Sequence, residues 1–384
     1  MSRKTVYLTI IFSVAVLVFV SIDRQVQAGM PAGIACFKCH TMHNSQNGVP
    51  EPRTGGASQM GIATPECAGC HGINRPNLLK MDCIGCHAEN IAGGNNISPS
   101  TGAPQVAHSG TDLAAGNFKY VFNANSAKGH NVHGFNIGGL GPMEMESNII
   151  PPDAPPGYNV ALDYGGWAPN GLTVNPLMCA GTNGCHGNRS EIVPLRSIAG
   201  AHHADDSALQ FGGAFIQAGQ GSTVGTSYRF LYGVQGGESN NWEATFNAAT
   251  NHNEYKGETW GARGNDPRTD HTISSLCSTC HGSFHASGAT GIGTGTSPWI
   301  RHPTDVGMVT TGEFAAYTYT QQVPVARVTL PSAATAMAAT ADNRIVMCLS
   351  CHRAHASAND DSLRWQYDAT MTTPNGCYNC HSGK

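Results

Sequence analysis

The chain has 384 residues, of which only 12% are charged and 7% are aromatic, and its formal net charge at pH 7 is −4. It contains no basic run or patch, which argues against nucleic acid as a partner. Glycine (47 residues) and proline (21 residues) are abundant, and long periodic apolar patterns are absent. The sequence therefore does not predict an ordinary core of packed helices or sheets.

The first 28 residues have the pattern of an export signal. A basic start precedes the apolar stretch Val6–Ile22, and Val26–Ala28 supplies small residues for cleavage. An uncleaved membrane anchor is the alternative, because the apolar run is near the lower limit for crossing a bilayer. We expect cleavage, since charged residues end the run and a suitable cleavage triplet follows. The prediction is a mature unit over residues 29–384 that folds outside the cytoplasm.

Six copies of Cys-x-x-Cys-His recur along the chain, and a wider variant contains the two remaining cysteines. This pattern is the attachment signature of c-type haem: two thiols bond the porphyrin and the histidine ligates the iron. Zinc ribbons do not require a histidine after every second cysteine, and a disulfide framework gives no reason for the repeated Cys-His step. We therefore predict seven haem c groups, attached at Cys36, Cys39, Cys67, Cys70, Cys83, Cys86, Cys179, Cys185, Cys277, Cys280, Cys348, Cys351, Cys377 and Cys380. The proximal iron ligands are His40, His71, His87, His186, His281, His352 and His381.

The variant motif runs from Cys179 to His186, with five residues between its cysteines instead of two. The extra residues must form a loop, and Gly181, Asn183 and Gly184 are residue types that permit one. A local disulfide or a pair of idle thiols are the alternatives. Because every other cysteine belongs to a regular motif, we expect haem at this position too.

Haem also decides the expected fold, because the chain can wrap each large apolar porphyrin with loops. The predicted class is a mostly irregular, haem-templated multihaem cytochrome c that forms one elongated unit, with few short helices and minimal β-strand. Phe314–Thr320 and Val323–Leu330 have alternating patterns that predict two paired strands. The alanine-rich segment Pro331–Asp342 is the best helix candidate.

Eleven histidines lie outside the motifs, enough to give each of seven irons a second axial histidine. Twelve methionines are an alternative source of ligands. Two axial histidines favour electron transfer over substrate binding at iron, and a lower potential than His/Met ligation. The predicted distal ligands are His43, His108, His130, His203, His285, His302 and His355. His202 is an alternative to His203, and His133, His252 and His271 are left without an assigned role.

Two of these histidines lie three residues after a proximal one: His43 follows His40, and His355 follows His352. Residues at this spacing lie side by side on a helical turn. The two ligands of one iron must approach from opposite faces of the porphyrin. His43 and His355 therefore each serve a different haem from that of the neighbouring motif, which brings two porphyrins close together.

At several places the sequence resembles the OmcS-type extracellular cytochromes, which polymerise into conductive filaments in metal-reducing bacteria. The matching segments follow the same order along the chain and are Cys39–Ser45, Lys128–Asn131, Cys277–His285, Arg301–Pro303, Cys348–Ser357 and the closing Cys-x-x-Cys-His. The resemblance implies a homopolymer in which His43 ligates a haem of the next subunit, the one attached at Cys348 and Cys351. The chain departs from the six-haem family by having two close motifs, at Cys67 and Cys83, where the family has one, and by its wide seventh motif.

The predicted function is an electron conduit at the cell surface, in which a chain of about seven bis-histidine haems carries electrons to acceptors outside the cell. Its expected partners are copies of itself, upstream periplasmic or outer-membrane cytochromes, and external acceptors such as metal oxides, electrodes or other cells. A monomeric periplasmic or outer-surface carrier is one alternative. A multihaem redox enzyme with one open haem site is another, but distal histidines are abundant, so we expect an electron-transfer protein with no catalytic residues.

Overall fold

The computed structural model describes residues 83–88, 93–99, 102–122, 125–132, 155–158, 177–192, 194–198, 231–239, 241–259, 264–285, 302–332, 334–367 and 376–382, together with the strands Ser45–Gln46 and Val49–Pro50. Within this part of the chain the regular elements are short, and the longest helix has six residues. Loops and turns connect them. The predicted class, mostly irregular with few short helices and minimal strand, is confirmed for these residues.

Seven short α-helices occur among the described residues. They are α1 Ile84–His87, α2 Pro194–Ser197, α3 Pro267–Asp270, α4 Ile273–Ser278, α5 Gly282–His285, α6 Cys348–Cys351 and α7 Gly376–Cys380. Single 3₁₀ turns lie at Phe118–Tyr120, Ser126–Lys128, Gly312–Phe314, Ala341–Asn343 and Asp360–Ser362. Five of these α-helices, α1, α4, α5, α6 and α7, contain or adjoin a Cys-x-x-Cys-His motif.

The strands form two-residue or three-residue pairs. They are β1 Ser45–Gln46, β2 Val49–Pro50, β3 Met178–Ala180, β4 Gly184–His186, β5 Gly236–Gly237, β6 Glu254–Tyr255, β7 Val306–Gly307 and β8 Ile345–Val346. β1–β2, β5–β6 and β7–β8 are antiparallel, whereas β3–β4 is parallel. The pair β3–β4 contains both cysteines of the wide motif.

The start of α4 is fixed by its sequence. Thr272 is the N-cap, and its side chain accepts a hydrogen bond from the amide of Ser275, which satisfies one of the unpaired donors of the first turn. The preceding helix α3 has Asp266 as its N-cap and Pro267 in its first turn, a position where proline is tolerated because its missing N–H is not needed. These caps position the motif that begins at Cys277.

Apolar side chains form three small buried clusters, and each lies against haem-attachment cysteines. The first includes Ile273, Leu276 and Ile345 and adjoins Cys277. The second surrounds Phe118 and Phe122 and adjoins Cys179. The third contains Tyr317, Tyr319, Val323, Val325 and Trp365 and adjoins Cys351, Cys377 and Cys380. The packed regions of the described chain therefore meet at the motifs.

Two secondary-structure predictions are wrong. Pro331–Asp342 contains no α-helix in its described residues, and only a 3₁₀ turn begins at Ala341. Alanine favours helix locally, but a segment this short is marginal without tertiary packing, and most of its described side chains are exposed. Met337 packs against the third cluster, but one such contact does not make the continuous apolar face that stabilises a helix.

Val323–Leu330 and Phe314–Thr320 do not form a strand pair. The first segment makes isolated bridges instead, from Ala326 to Ile345 and from Arg327 to Lys256, and Pro324 lacks the amide that a continuous ladder needs. The two segments do meet through side chains, since the Tyr317 hydroxyl donates to the Val323 carbonyl over 2.7 Å. The alternating apolar side chains of these two segments are buried, but their backbones do not pair as strands.

No helix in the described part of the chain is long and apolar enough to cross a membrane.

Candidate haem-ligating site

Regular motifs adopt one helical turn. In four of them the histidine amide donates to the carbonyl of the first cysteine: His87 to Cys83 (2.9 Å), His281 to Cys277 (2.9 Å), His352 to Cys348 (3.0 Å) and His381 to Cys377 (2.8 Å). A helical turn puts residues three apart on the same face. In the motifs that begin at Cys277, Cys348 and Cys377, both thiols thus lie on one side of the turn, as attachment to a single porphyrin requires.

The wide motif reaches a similar arrangement by a different route. β3 and β4 pair in parallel, with Met178 opposite Gly184 and Ala180 opposite His186, so Cys179 lies beside Cys185. Adjacent strands are about 4.8 Å apart, close to the spacing of roughly 5–6 Å between residues three apart on a helix. The additional residues form the expected turn, in which Gly181 has φ = +90° and the Gly184 amide donates to the Gly181 carbonyl over 2.9 Å.

Gly184 is required by this turn. A Cβ atom at this position would lie 2.4 Å from the Ala180 backbone, and contact with backbone atoms cannot be relieved by a rotamer change. From the sequence, Gly184 is recognised only as a residue that permits a loop. The close approach of β3 and β4 makes glycine necessary at this position.

Proximal histidines are oriented through Nδ1. His87 contacts the Pro104 carbonyl at 2.8 Å, His281 the Pro156 carbonyl at 2.7 Å and His352 the Asp361 carbonyl at 2.6 Å. A carbonyl oxygen can only accept, so each Nδ1 carries the proton and the lone pair is on Nε2. This second contact is the usual way in which a metal-ligating histidine is held.

Two predicted distal ligands show the same pattern. His130 donates from Nδ1 to the Ala354 carbonyl over 2.7 Å, and His302 donates to the Pro303 carbonyl over 2.9 Å. His271, which the sequence left without a role, also fits, since its Nδ1 donates to the Gly233 carbonyl over 2.8 Å. Nothing in the local sequence around His271 marks it, because the acceptor lies far away in the chain.

Among the described residues, three pairs of histidines face each other at a distance suited to one iron. The ring centroids are 6.1 Å apart for His130 and His281, 6.3 Å for His186 and His355, and 6.3 Å for His302 and His381. A metal–imidazole bond of about 2 Å on each side of one ion separates the two ring centroids by about 6 Å. Each pair joins a proximal histidine to a predicted distal one.

His108 is buried, and neither of its ring nitrogens has a hydrogen-bond partner. Burial lowers the pKa of His108, so the neutral form, which can bind a metal, is favoured. A buried imidazole without partners costs free energy unless something else satisfies it. Ligation of a haem iron would satisfy it, and on this criterion the residues present fit the predicted cofactor.

His281 is also held neutral. Burial, followed by the nearby His130, lowers the pKa of His281 to about 4. Protonation would therefore not compete with iron for its Nε2 atom at neutral pH.

Two other histidines are engaged differently. His285 contacts Asn265 Oδ1 through Nδ1 and Asp305 Oδ2 through Nε2, both at 2.8 Å. His252 is completely buried, between the Asn247 carbonyl at 3.2 Å and Glu254 Oε1 at 3.0 Å. In both residues each ring nitrogen lies against an oxygen atom, so neither nitrogen is open to iron. His252 is thus a packing residue, and His285 could ligate a haem only after the contact with Asp305 broke.

Cysteines of successive motifs lie next to one another. The thiol of Cys83 hydrogen-bonds to Cys179 and raises the pKa of Cys179, and Cys348 does the same for Cys277. Cys185 also lies near Cys277. Burial, with the nearby Cys380 and Cys377, raises the pKa of Cys351 to about 12. None of the cysteines whose side chains the structure describes forms a disulfide.

Several predicted site residues lie outside the described part of the chain. They are Cys36, Cys39, His40, His43, Cys67, Cys70, His71 and His203, as well as the side chain of Cys86. The predicted signal segment and the unassigned His133 and His202 lie outside it too.

A family described as the doubled Cys-x-x-Cys-His motif matches residues 340–384. The match contains the two regular motifs at Cys348 and Cys377. No curated protein matches the chain.

Two solved structures are similar to this chain. One is an outer membrane cytochrome S filament from Geobacter sulfurreducens, with 19% identity, coverage of 89% of this chain and 85% of that chain, and a TM-score of 0.33. The other is the OmcS nanowire of the same organism, with 18% identity, coverage of 93% and 92%, and a TM-score of 0.38. Both belong to the group that the sequence motifs resemble. With identities and TM-scores this low, the two similarities carry no argument about function. The arrangement of the ligating residues must supply it instead.

Proposed function

We propose that this chain is a multihaem c-type cytochrome that carries electrons along a row of seven bis-histidine haems. When bound, each haem iron would gain and lose one electron at a time. The chain's own residues attach the porphyrins, fill both axial positions and exclude other ligands. With both positions filled, the iron is suited to electron transfer rather than to substrate chemistry.

The observation that carries this proposal is the set of three opposed histidine pairs at 6.1–6.3 Å. The pairs support His130 as the distal ligand of the haem at Cys277 and Cys280, His355 as that of the haem at Cys179 and Cys185, and His302 as that of the haem at Cys377 and Cys380. The second assignment supports haem at the wide motif. It also agrees with the spacing argument that His355 cannot complete the iron held by His352.

Contacts between successive motifs support a continuous row. Each motif has a cysteine near a cysteine of the next one. The neighbouring pairs are Cys83 and Cys179, Cys185 and Cys277, Cys277 and Cys348, and Cys351 with Cys377 and Cys380. Porphyrins attached to neighbouring thiols must themselves be neighbours. An electron could therefore cross the described part of the chain by short steps between adjacent haems.

His43, His108 and His203 complete the proposed distal set, together with one residue from α3–α5. For that last position His271 is a better candidate than His285. The Nδ1 atom of His271 is held by a backbone carbonyl, whereas both ring nitrogens of His285 are engaged by side chains. The exported unit would be residues 29–384, after removal of residues 1–28.

We further propose that the chain polymerises outside the cell, with His43 ligating the haem of Cys348 and Cys351 in the next subunit. The motif resemblance supports this joint, and the two similar structures are described as a filament and as nanowires. Upstream periplasmic or outer-membrane cytochromes would supply electrons, and external acceptors would receive them.

The decisive experiment is cryo-electron microscopy of haem-loaded protein taken from the producing cells, together with intact mass to count the haems. We expect seven haems and filaments with an unbroken haem row. Fewer than six haems, or an open iron position with bound substrate, would contradict the electron-transfer proposal.

The joint is tested separately by His43→Ala, with His133→Ala as a control that removes an unassigned histidine. We expect His43→Ala to keep its haems and remain monomeric in electron micrographs, and His133→Ala to polymerise. If the His43→Ala variant still forms filaments, the proposed joint is rejected, but the proposed haem chemistry is not. His43 would then be the ligand of a haem in its own chain.

A further inference from the structure

The proximal histidine of the C-terminal motif differs from His87, His281 and His352 in the partner of its Nδ1 atom. His381 Nδ1 lies 3.0 Å from Glu313 Oε2. The corresponding partners of His87, His281 and His352 are backbone carbonyls. A carbonyl is neutral, whereas a glutamate carboxylate is ionised at neutral pH.

The backbone of Glu313 is fixed by hydrogen bonds to the residue that follows His381. The backbone amide and the hydroxyl of Ser382 both donate to the Glu313 carbonyl, over 3.1 and 2.9 Å. The next residue, Phe314, lies against the imidazole of His381 with a centroid distance of 5.0 Å. The 3₁₀ turn Gly312–Phe314 thus presents a carboxylate and an aromatic ring to the same histidine.

The opposite ligand of this pair has no such charge. His302 donates from Nδ1 to the neutral carbonyl of Pro303. A charged partner therefore lies next to only one of the two axial ligands of this haem, at Glu313 beside His381. Both side chains are partly exposed, at 28% for Glu313 and 20% for His381, so solvent screens part of the effect but not all of it.

We propose that Glu313 is a positioning residue that lowers the reduction potential of the haem attached at Cys377 and Cys380. A carboxylate that accepts the Nδ1 proton makes the imidazole a stronger electron donor, and second-shell hydrogen bonding to an axial ligand sets the potential of a haem. The extra negative charge stabilises ferric over ferrous iron. This inference rests on the proposed haem attachment and on His381 as a ligand, but not on polymerisation.

The test is a spectroelectrochemical titration of the haem-loaded chain with Glu313→Gln, with Asp342→Asn as the matched control. Glutamine keeps an oxygen acceptor of similar length and removes the charge, and Asp342 is an exposed carboxylate in another 3₁₀ turn. We expect the midpoint potential of one component of the Glu313→Gln titration to rise by about 59 mV, which is a tenfold fall in its ferric-to-ferrous ratio at a fixed potential for one electron. Asp342→Asn should leave every component unchanged.

Three results would overturn the proposal. One is a Glu313→Gln titration that matches the control. Another is loss of one haem from Glu313→Gln by intact mass, because Glu313 would then hold the haem rather than tune it. The third is a wild-type peptide mass without haem at Cys377 and Cys380, which would reject the proposed function at this motif as well. An upward shift with all haems retained supports the tuning role alone.

Discussion

The imidazole rings of His186 and His355 face each other with their centroids 6.3 Å apart, although the two residues come from different halves of the chain. His355 is held from the other side by Phe118, which stacks on it at 4.6 Å. The proximal histidine of the wide motif therefore has an opposed histidine in place, fixed by packing. A wide spacer between the cysteines has not removed the features of a bis-histidine site.

Substitution of His355 by alanine should open one iron position. We expect all haems to stay covalently attached, and one of them to become high-spin and to bind carbon monoxide, because its sixth ligand is missing. Electron paramagnetic resonance and carbon monoxide difference spectra measure this. His252→Asn is the control: it removes a buried histidine that packs rather than ligates, so its melting temperature should fall without a high-spin signal. A fully low-spin His355→Ala would reject the assignment.

The choice between His271 and His285 can be made in the same way. His271→Ala should give one high-spin haem, since its Nδ1 is oriented as in the other ligands. His285→Gln should remain low-spin and lose stability, because Asp305 is buried and would lose a partner. A high-spin haem in His285→Gln, with none in His271→Ala, would restore the assignment made from the sequence.

Gly184→Ala should reduce the haem count by one. Its Cβ would collide with the Ala180 backbone, so β3 and β4 would separate and Cys179 would no longer lie beside Cys185. Gly94→Ala is the control, since a Cβ there meets nothing within 4 Å. Intact mass distinguishes the two variants, and a fully loaded Gly184→Ala would show that the strand pair is unnecessary for attachment.

Arg327→Ala should destabilise the chain strongly. Arg327 donates to Glu254 over 2.7 Å, and the Glu254 side chain is fully buried. Breaking a buried ion pair leaves an uncompensated charge and costs about 3–5 kcal/mol. Arg268→Ala breaks a contact whose arginine is 52% exposed, which should cost about 0–1 kcal/mol. Denaturation midpoints of the two haem-loaded variants would test this, and equal losses would contradict it.

The attachment residues are the part of the site that a sequence can predict, because their chemistry is local. Two cysteines and the following histidine must lie on one short turn, and Cys348–Cys351 folds as such a turn. The same reasoning identified Gly181 as a turn residue in the wide motif, where it has positive φ. In these cases the spacing along the chain and the geometry in space are directly linked.

Pairing of ligands could not be predicted in this way. His130 meets His281, and His302 meets His381, through contacts between segments far apart in the sequence. The spacing argument could say that His355 serves another haem but not which one. His285 is one of the predicted distal ligands, and only the positions of Asn265 and Asp305 reveal that both of its nitrogens are engaged.

Secondary structure failed where propensity was the main argument. Alanines in 331–342 favour helix, yet most described side chains of this segment are exposed, and five of the seven described α-helices lie at the motifs instead. The apolar residues Val323 and Val325 are buried as expected of a strand, but they pack beside cysteines instead of joining a sheet. Attachment sites, rather than backbone pairing, organise this chain.

The acceptors that orient most of these imidazoles belong to the backbone, at Pro104, Pro156, Ala354 and Asp361. A carbonyl is present whatever side chain the residue carries. Mutation at such a position can change the surface of the protein while the ring next to it keeps its orientation. Wide evolutionary drift of the loops is therefore compatible with a fixed ligand geometry, and Glu313 is a position where a single substitution would be felt at the iron.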